Sequence, residues 1–175
     1  MNKPQKIIID GYNMIHADPE LKRYMENDMN RARGELIDRL KMYLSDKAVR
    51  ITVVFDGQGG LTDVEMVLPA KLQVMFSPFG QTADELIVGT LQNAANPREY
   101  IIVTSDSMDI GREASSLGAT VESSAAFLER IDRNPTGASQ QEEKPKANEV
   151  DTEYWLRVFS GQGKNEDRSD GENSG

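Results

Sequence analysis

Three nearly continuous runs of Ile, Val and Phe constrain the fold of this chain most strongly. They are "KIIID" at residues 6–10, "RITVVFD" at 50–56 and "EYIIVTSD" at 99–106. Runs without polar alternation are typical of central parallel strands that helices cover on both faces. Helical patterns lie between these runs. The alternation of strands and helices therefore predicts an α/β fold with three layers, in which helices flank a mostly parallel central sheet.

The remaining elements are predicted from shorter signals. Strands are expected at 6–10, 50–55, 64–68 or 72–76, 100–104 and 119–122. One helix is expected to begin at Asn30 as its N-cap, and a second at the capping box of Thr82 and Glu85, ending before Pro97. A third helix is expected to end on Gly118, and a short one to span 125–131.

The composition divides the chain into four parts. One domain is expected at 1–133, because residues 134–149 contain no large apolar side chain and are typical of a flexible linker. An aromatic-rich segment, "VDTEYWLRVFSG", follows at 150–161, and a disordered tail is predicted at 162–175. We expect segment 150–161 to bind a protein partner or to fold back onto its own domain.

Charge and cysteine content exclude several functions. The chain has no cysteine, which removes disulfides, thiolate zinc sites and cysteine nucleophiles. Its net charge of −9 argues against a general nucleic-acid coat protein, although residues 22–50 carry a local charge of +3. No run is apolar enough for a membrane span or signal sequence, so a cytoplasmic protein without a membrane partner is expected.

Acidic residues collect where the predicted strands end and the next helices begin. Asp10, Asp56 and Asp106 follow strands, and Asp84, Glu85 and Asp109 stand near helix starts. Ligands of open α/β sheets lie beyond the carboxyl ends of the strands, where converging carboxylates repel one another unless a cation holds them. Hard oxygen ligands favour Mg²⁺ or Mn²⁺ over zinc.

Each of these residues also has a structural explanation. Asp is a common helix cap and turn residue, Glu85 suits the capping box, and Asp56 suits a glycine turn. Asp10 is the sharpest case, because no helix is expected directly after it. Asn13 suits a turn, or a contact with a phosphate or a metal-bound water. Arg31 and Arg33 begin the basic helix, where they suit phosphate contacts or a solvated helix face.

Four blocks in order resemble the bacterial NYN-domain proteins of the PIN-like nuclease superfamily. They are "IIIDGYNMIH", "VVFDGQGG", "VMFSPFGQTADELI" and "IIVTSDSMDI", within residues 6–131. The nearest branch includes a ribosome-dependent messenger-RNA endonuclease. The resemblance implies a PIN-like fold and cleavage of single-stranded RNA with Mg²⁺ or Mn²⁺.

The resemblance also implies residue roles. It assigns catalysis to Asp10, Asn13, Asp84, Asp106 and Asp109, and metal binding to the four acids among them, with Asp56 and Glu85 as further candidates. Asn13, Arg31 and Arg33 are expected to contact RNA. Metal-activated water would attack the phosphodiester, and the ribosome is the partner that the branch suggests.

Other readings of the same residues predict different chemistry. A catalytically silent RNA- or ribosome-binding module of the same fold is the main alternative. A haloacid-dehalogenase-like phosphatase needs a second Asp where Tyr12 stands. A P-loop or dinucleotide enzyme needs a glycine signature that the chain lacks.

Overall fold

The computed structural model describes residues 5–57 and 63–133, and its strands form one sheet. The strands are β1 (Gln5–Asp10), β2 (Val49–Phe55), β3 (Asp63–Leu68), β4 (Leu72–Phe76), β5 (Tyr100–Val103) and β6 (Thr120–Glu122). Their order across the sheet is β3-β4-β2-β1-β5-β6. All neighbours pair in parallel except β3 and β4, which are antiparallel. The predicted mostly parallel sheet is confirmed, and both 64–68 and 72–76 lie within strands.

Within residues 5–57 and 63–133, six α-helices lie between or after these strands. They are α1 (Gly11–Ala17), α2 (Pro19–Asn27), α3 (Met29–Leu44), α4 (Ala83–Gln92), α5 (Ile110–Leu117) and α6 (Ser124–Arg133), with a 3₁₀ turn at Pro97–Glu99. The capping box of Thr82 and Glu85 is present at α4, and Gly118 ends α5 in the left-handed conformation, as predicted. Asp28, not Asn30, caps α3.

Strand residues alternate between two apolar layers, which confirms the three-layer fold. Ile7 and Ile9 of β1 pack with residues of α1, α3 and α6. Ile8, between them, packs on the other face with residues of α4 and α5. This alternation follows from the period of two in a strand, and it explains why the central runs are apolar throughout.

Helices α1 and α2 differ from expectation, since no helix was predicted between β1 and residue 30. Asp10 is the N-cap of α1, and its carboxylate accepts a hydrogen bond from the backbone N–H of Asn13. Asp18 caps α2 in the same way, with Pro19 as the first helical residue. The expectation that Asp10 leads into no helix is therefore wrong.

None of the helices in residues 5–57 and 63–133 is long and apolar enough to cross a membrane. The predicted linker 134–149, segment 150–161 and tail 162–175 lie outside the described residues, so those boundaries stay predictions.

Candidate active site

Two Asp-Gly pairs end the central strands at what we call the carboxyl edge, where the parallel strands have their carboxyl ends. A Cβ on Gly11 would lie 2.3 Å from the ring of Phe55, and a Cβ on Gly57 would lie 1.9 Å from the carbonyl oxygen of Ser77. Neither distance is physically tolerable, so both positions need glycine. The close approach brings the ends of β1, β2 and β4 together.

Asp10 is buried and held in a fixed orientation at this edge. Only 6% of the residue is exposed. The side-chain amide of Asn13 donates to one Asp10 carboxylate oxygen over 2.7 Å, and the Asn13 backbone N–H donates to the other over 3.1 Å. Burial raises the pKa of Asp10, although the two hydrogen bonds from Asn13 oppose that rise.

Thr104 joins this pair to the end of β5. Its buried hydroxyl oxygen accepts from the side-chain amide of Asn13 over 3.3 Å and from the backbone N–H of Asp106 over 3.0 Å. The Asp106 carboxylate in turn accepts from the backbone N–H groups of Met108 and Asp109. One hydroxyl thus couples the asparagine that orients Asp10 to the turn that carries Asp106.

Asp56 connects the end of β2 to helix α4. Its carboxylate accepts from the backbone N–H of Ala83, the first residue of that helix, over 2.6 Å. The side chain of Ser77 is buried and accepts from the backbone N–H of Gly57. Asp56 therefore fixes the helix end that carries Asp84.

The pKa of Asp84 responds to the negative charges of three neighbouring acids. Burial raises the pKa of Asp84 to about 6 from the ordinary 3.8. The next contributions to this pKa come from the negative charges of Asp10, Asp106 and Asp56, in decreasing order. Asp84 also shares a hydrogen bond with Asp10 that favours its protonated form. Acids from four separate parts of the chain thus interact at one edge of the sheet.

Asp109 lies at the beginning of α5. It is exposed at the N-cap of α5, where its side chain makes no capping hydrogen bond. It lines a cleft of about 420 Å³ between α4 and α5, together with Asp84, Glu85 and Glu113. The sequence motifs gave no indication of Glu113. Glu85 accepts from the backbone N–H of Thr82 in the capping box, so its structural role is confirmed.

The carboxylate oxygens at the carboxyl edge are the type of ligand that hard divalent cations prefer. Carboxylate oxygens that raise one another's pKa bind such an ion favourably, because its charge removes their repulsion. In residues 5–57 and 63–133, however, no three His, Cys, Asp or Glu side chains are arranged closely enough to hold an ion together. Among these acids, Asp10 is the one whose charge raises the pKa of Asp84 most, followed by Asp106 and Asp56.

The two arginines differ from each other in their surroundings. Arg31 is exposed, with its guanidinium 4.2 Å from the ring centre of Tyr24. Arg33 is only 6% exposed, and its guanidinium donates to the Tyr12 hydroxyl and lies against the ring of Phe55. The expected solvated helix face for Arg33 is wrong, because the side chain turns inward. In this conformation a phosphate contact is open to Arg31 and not to Arg33.

Two large apolar side chains near the acids were missed from the sequence. Phe79, in the loop between β4 and α4, is 85% exposed, and Met108, in the Asp106 turn, is 68% exposed. Phe79 precedes Asp84 in the sequence, and Met108 follows Asp106. A large apolar residue inside a short polar loop is the sequence feature that could have identified both.

A mostly parallel sheet whose strand ends gather carboxylates defines a nuclease-like α/β domain. Residues 7–158 match the family model of the YacP-like NYN domain, so the chain belongs to that family. NYN domains are generally nucleases, and such nucleases usually use divalent metals.

Relatives in Bacillus subtilis agree with this assignment. The uncharacterized protein YacP of strain 168 is 30% identical over 163 residues, which cover 87% of this chain and 93% of YacP. The crystal structure of Rae1 (YacP) superposes with a TM-score of 0.60 and 27% identity, over 93% of this chain and 83% of that chain. A variant of Rae1 (YacP) superposes with the same TM-score and 30% identity, over 74% and 76%.

Proposed function

We propose that this protein is a metal-dependent endoribonuclease that cleaves single-stranded RNA with Mg²⁺ or Mn²⁺. The observation that carries the proposal is the position of Asp84. A partly exposed carboxyl group faces three other carboxylates, and its pKa is about 6. Perturbed acids grouped in a cleft are typical of functional sites, and here the perturbation has a stated physical cause.

The ion would be held by Asp10 and Asp84, with Asp106 and Asp109 as further ligands. When bound, it supplies a water of lowered pKa and neutralises charge on the phosphate. The chain's own part is to fix the ligands before substrate arrives. Asn13 holds Asp10 through two hydrogen bonds, Thr104 supports Asn13, and Asp56 fixes the first turn of α4.

The loops around the acids suit single-stranded RNA. An exposed aromatic ring stacks on a nucleobase only when that base is not paired, and such stacking tolerates every base. Phe79 offers such a ring in the loop that leads into α4, the helix that carries Asp84, and Met108 offers an apolar side chain in the loop after β5. Arg31 supplies an exposed cation at the start of α3 for the backbone.

The charge of the chain favours recruitment by a partner. A net charge of −9 opposes binding of free RNA, which carries its own negative charge. Of the basic residues in 22–50, Arg39 is paired with Asp18 and Glu20 at 2.5 and 2.6 Å. We propose that a carrier such as the ribosome presents the RNA, because local contacts alone supply little affinity.

The test is cleavage of an end-labelled single-stranded RNA with Mn²⁺ and with EDTA. We expect cuts inside the strand that depend on the metal and leave 5′-phosphate and 3′-hydroxyl ends. Asp84→Asn should abolish them. Asp132→Asn should not, because Asp132 is exposed on α6 and makes no hydrogen bond or ion pair within the described residues. Cleavage that persists in EDTA would refute the proposal.

One observation favours the alternative, a catalytically silent RNA- or ribosome-binding module. Among the described residues, no three carboxylates lie close enough together to bind one metal ion. A module of that kind would bind RNA more tightly with Mn²⁺ and release no fragments. The same labelled RNA distinguishes the two functions in one gel.

A further inference from the structure

A groove crosses the sheet on the side away from α1 and α3. Its volume is about 430 Å³. Thr52, Val54, Gln73 and Met75 form part of its floor, and Met66 of β3 forms one wall. The groove exists because β3, rather than a helix, connects β2 to β4, so within the described residues α4 borders this part of the sheet, through Thr90, without filling it.

The groove combines apolar surface with positive charge. Met66 is 51% exposed, and its neighbour Val64 on the same side of β3 is 48% exposed. Lys6, Arg50 and Lys71 line the groove at the amino ends of their strands, and no acid lines it, although Lys6 pairs with Glu99 at 3.4 Å. Arg50 is exposed and makes no hydrogen bond or ion pair within the described part of the chain.

We infer that segment 150–161 of this same chain docks in the groove. The segment has five large apolar side chains, which are Tyr154, Trp155, Leu156, Val158 and Phe159. Three acids, Glu149, Asp151 and Glu153, directly precede the aromatic pair. An apolar stretch with an acidic start matches an apolar floor with a basic rim, in both character and order.

Contacts at the end of α3 connect the beginning of the last described helix to the rim of the groove. Phe127 of α6 packs against Tyr43, one residue before the end of α3, with ring centres 5.9 Å apart. Lys71, on the rim of the groove, donates to the carbonyl oxygen of Leu44 at that same end of α3 over 3.2 Å. The end of α3 thus lies beside both α6 and the groove.

The length of the connection is sufficient. Residues 134–149 span at most about 55 Å when extended. A domain of this size has a radius of gyration of about 14 Å, so the linker reaches around the edge of the sheet. The match of the family model also extends to residue 158 and so includes Tyr154 and Trp155 of the segment.

Trp155 is the single tryptophan in the chain, so its fluorescence reports docking directly. We expect the full chain to show a blue-shifted Trp155 emission that is poorly quenched by acrylamide. Met66→Asp and Arg50→Glu should shift the emission to that of the urea-denatured chain. Met42→Asp and Arg23→Glu are matched controls on exposed positions of α3 and α2, and they should leave it unchanged.

Three outcomes would overturn the inference. One is a Trp155 emission in the unsubstituted chain that equals the denatured value. Another is a buried emission that both groove variants leave unchanged, which would place the segment on another surface. The third is a blue shift that disappears on dilution, which would indicate a second copy or another chain as the partner.

A second measurement covers the case in which a groove variant fails to fold. The chain contains no cysteine, so Met66→Cys creates a single labelling site. A photoreactive maleimide at that site should cross-link to a peptide from 150–161 within the same chain. Cross-links only to other peptides, or between chains, would contradict the inference. Both measurements report only where segment 150–161 lies, so neither result depends on whether the protein cleaves RNA.

Discussion

Replacing Asp84 with Asn tests whether the acids at the carboxyl edge repel one another in the metal-free protein. The folded-state pKa of Asp84 is about 6, above the ordinary 3.8. The folded protein therefore binds more protons than the unfolded chain between about pH 4 and pH 6. Stability falls as the pH rises through that range, and the charged Asp84 stays unfavourable above it.

The size of this effect on the free energy of unfolding follows from the difference between these two pKa values. It corresponds to about 3 kcal/mol if the group were fully buried. Asp84 is partly exposed, so solvent screening reduces the effect to about 1 kcal/mol. Asparagine removes the charge, and its amide donates to Asp10 where the protonated acid donates. Asp84→Asn should therefore stabilise the metal-free protein by about 1 kcal/mol at pH 7.5 and leave stability unchanged at pH 4.

The assay is urea unfolding in EDTA at both pH values, followed by circular dichroism. Asp132→Asn serves as the control and should have no effect at either pH. Adding Mg²⁺ should stabilise the parent protein and not Asp84→Asn, because the variant loses a ligand. A variant that is equally stable or less stable at pH 7.5 would refute the reasoning. Asp10→Asn is a poorer test, since Asp10 also caps α1.

Three further substitutions test the support around the acids. Thr104→Val should lower the free energy of unfolding by about 1–3 kcal/mol and slow cleavage, because it leaves the side-chain amide of Asn13 without its second acceptor. A variant with full stability and activity would contradict this prediction. Gly57→Ala should destabilise the protein by about 1–3 kcal/mol in thermal unfolding, because its Cβ would meet the Ser77 carbonyl oxygen; an unchanged melting temperature would be the contrary result. Phe79→Ala should weaken binding of single-stranded RNA by about 1–3 kcal/mol at unchanged stability. An equal loss for duplex RNA, measured by anisotropy, would rule out base stacking.

The central strands were predictable because their sequence signal and their environment coincide. Apart from Thr52, residues 7–9, 51–55 and 101–103 are apolar, and they pack into the two apolar layers on opposite faces of the sheet. Helices α1 and α2 were missed for different reasons. Asp10-Gly11 resembles a turn in sequence, whereas Asp18-Pro19 carries a cap and a first-turn proline that do predict a helix.

The sequence predicts which acids lie at the candidate site better than it predicts what each residue there does. Strand-end acids meet at one edge because parallel strands bring them there. The inward turn of Arg33 depends on Tyr12 and Phe55, which lie far apart in sequence. The role of Thr104 likewise depends on a contact across 91 positions. Pairwise contacts of this kind have no local signal, so a single sequence does not reveal them.

Anomalous scattering from a Mn²⁺-soaked crystal tests most directly whether these acids share an ion. We predict one strong peak within coordination distance of carboxylate oxygens of both Asp10 and Asp84, and no such peak in Asp84→Asn crystals. A soaked crystal with manganese bound only elsewhere, or with none at the carboxyl edge, would contradict the account.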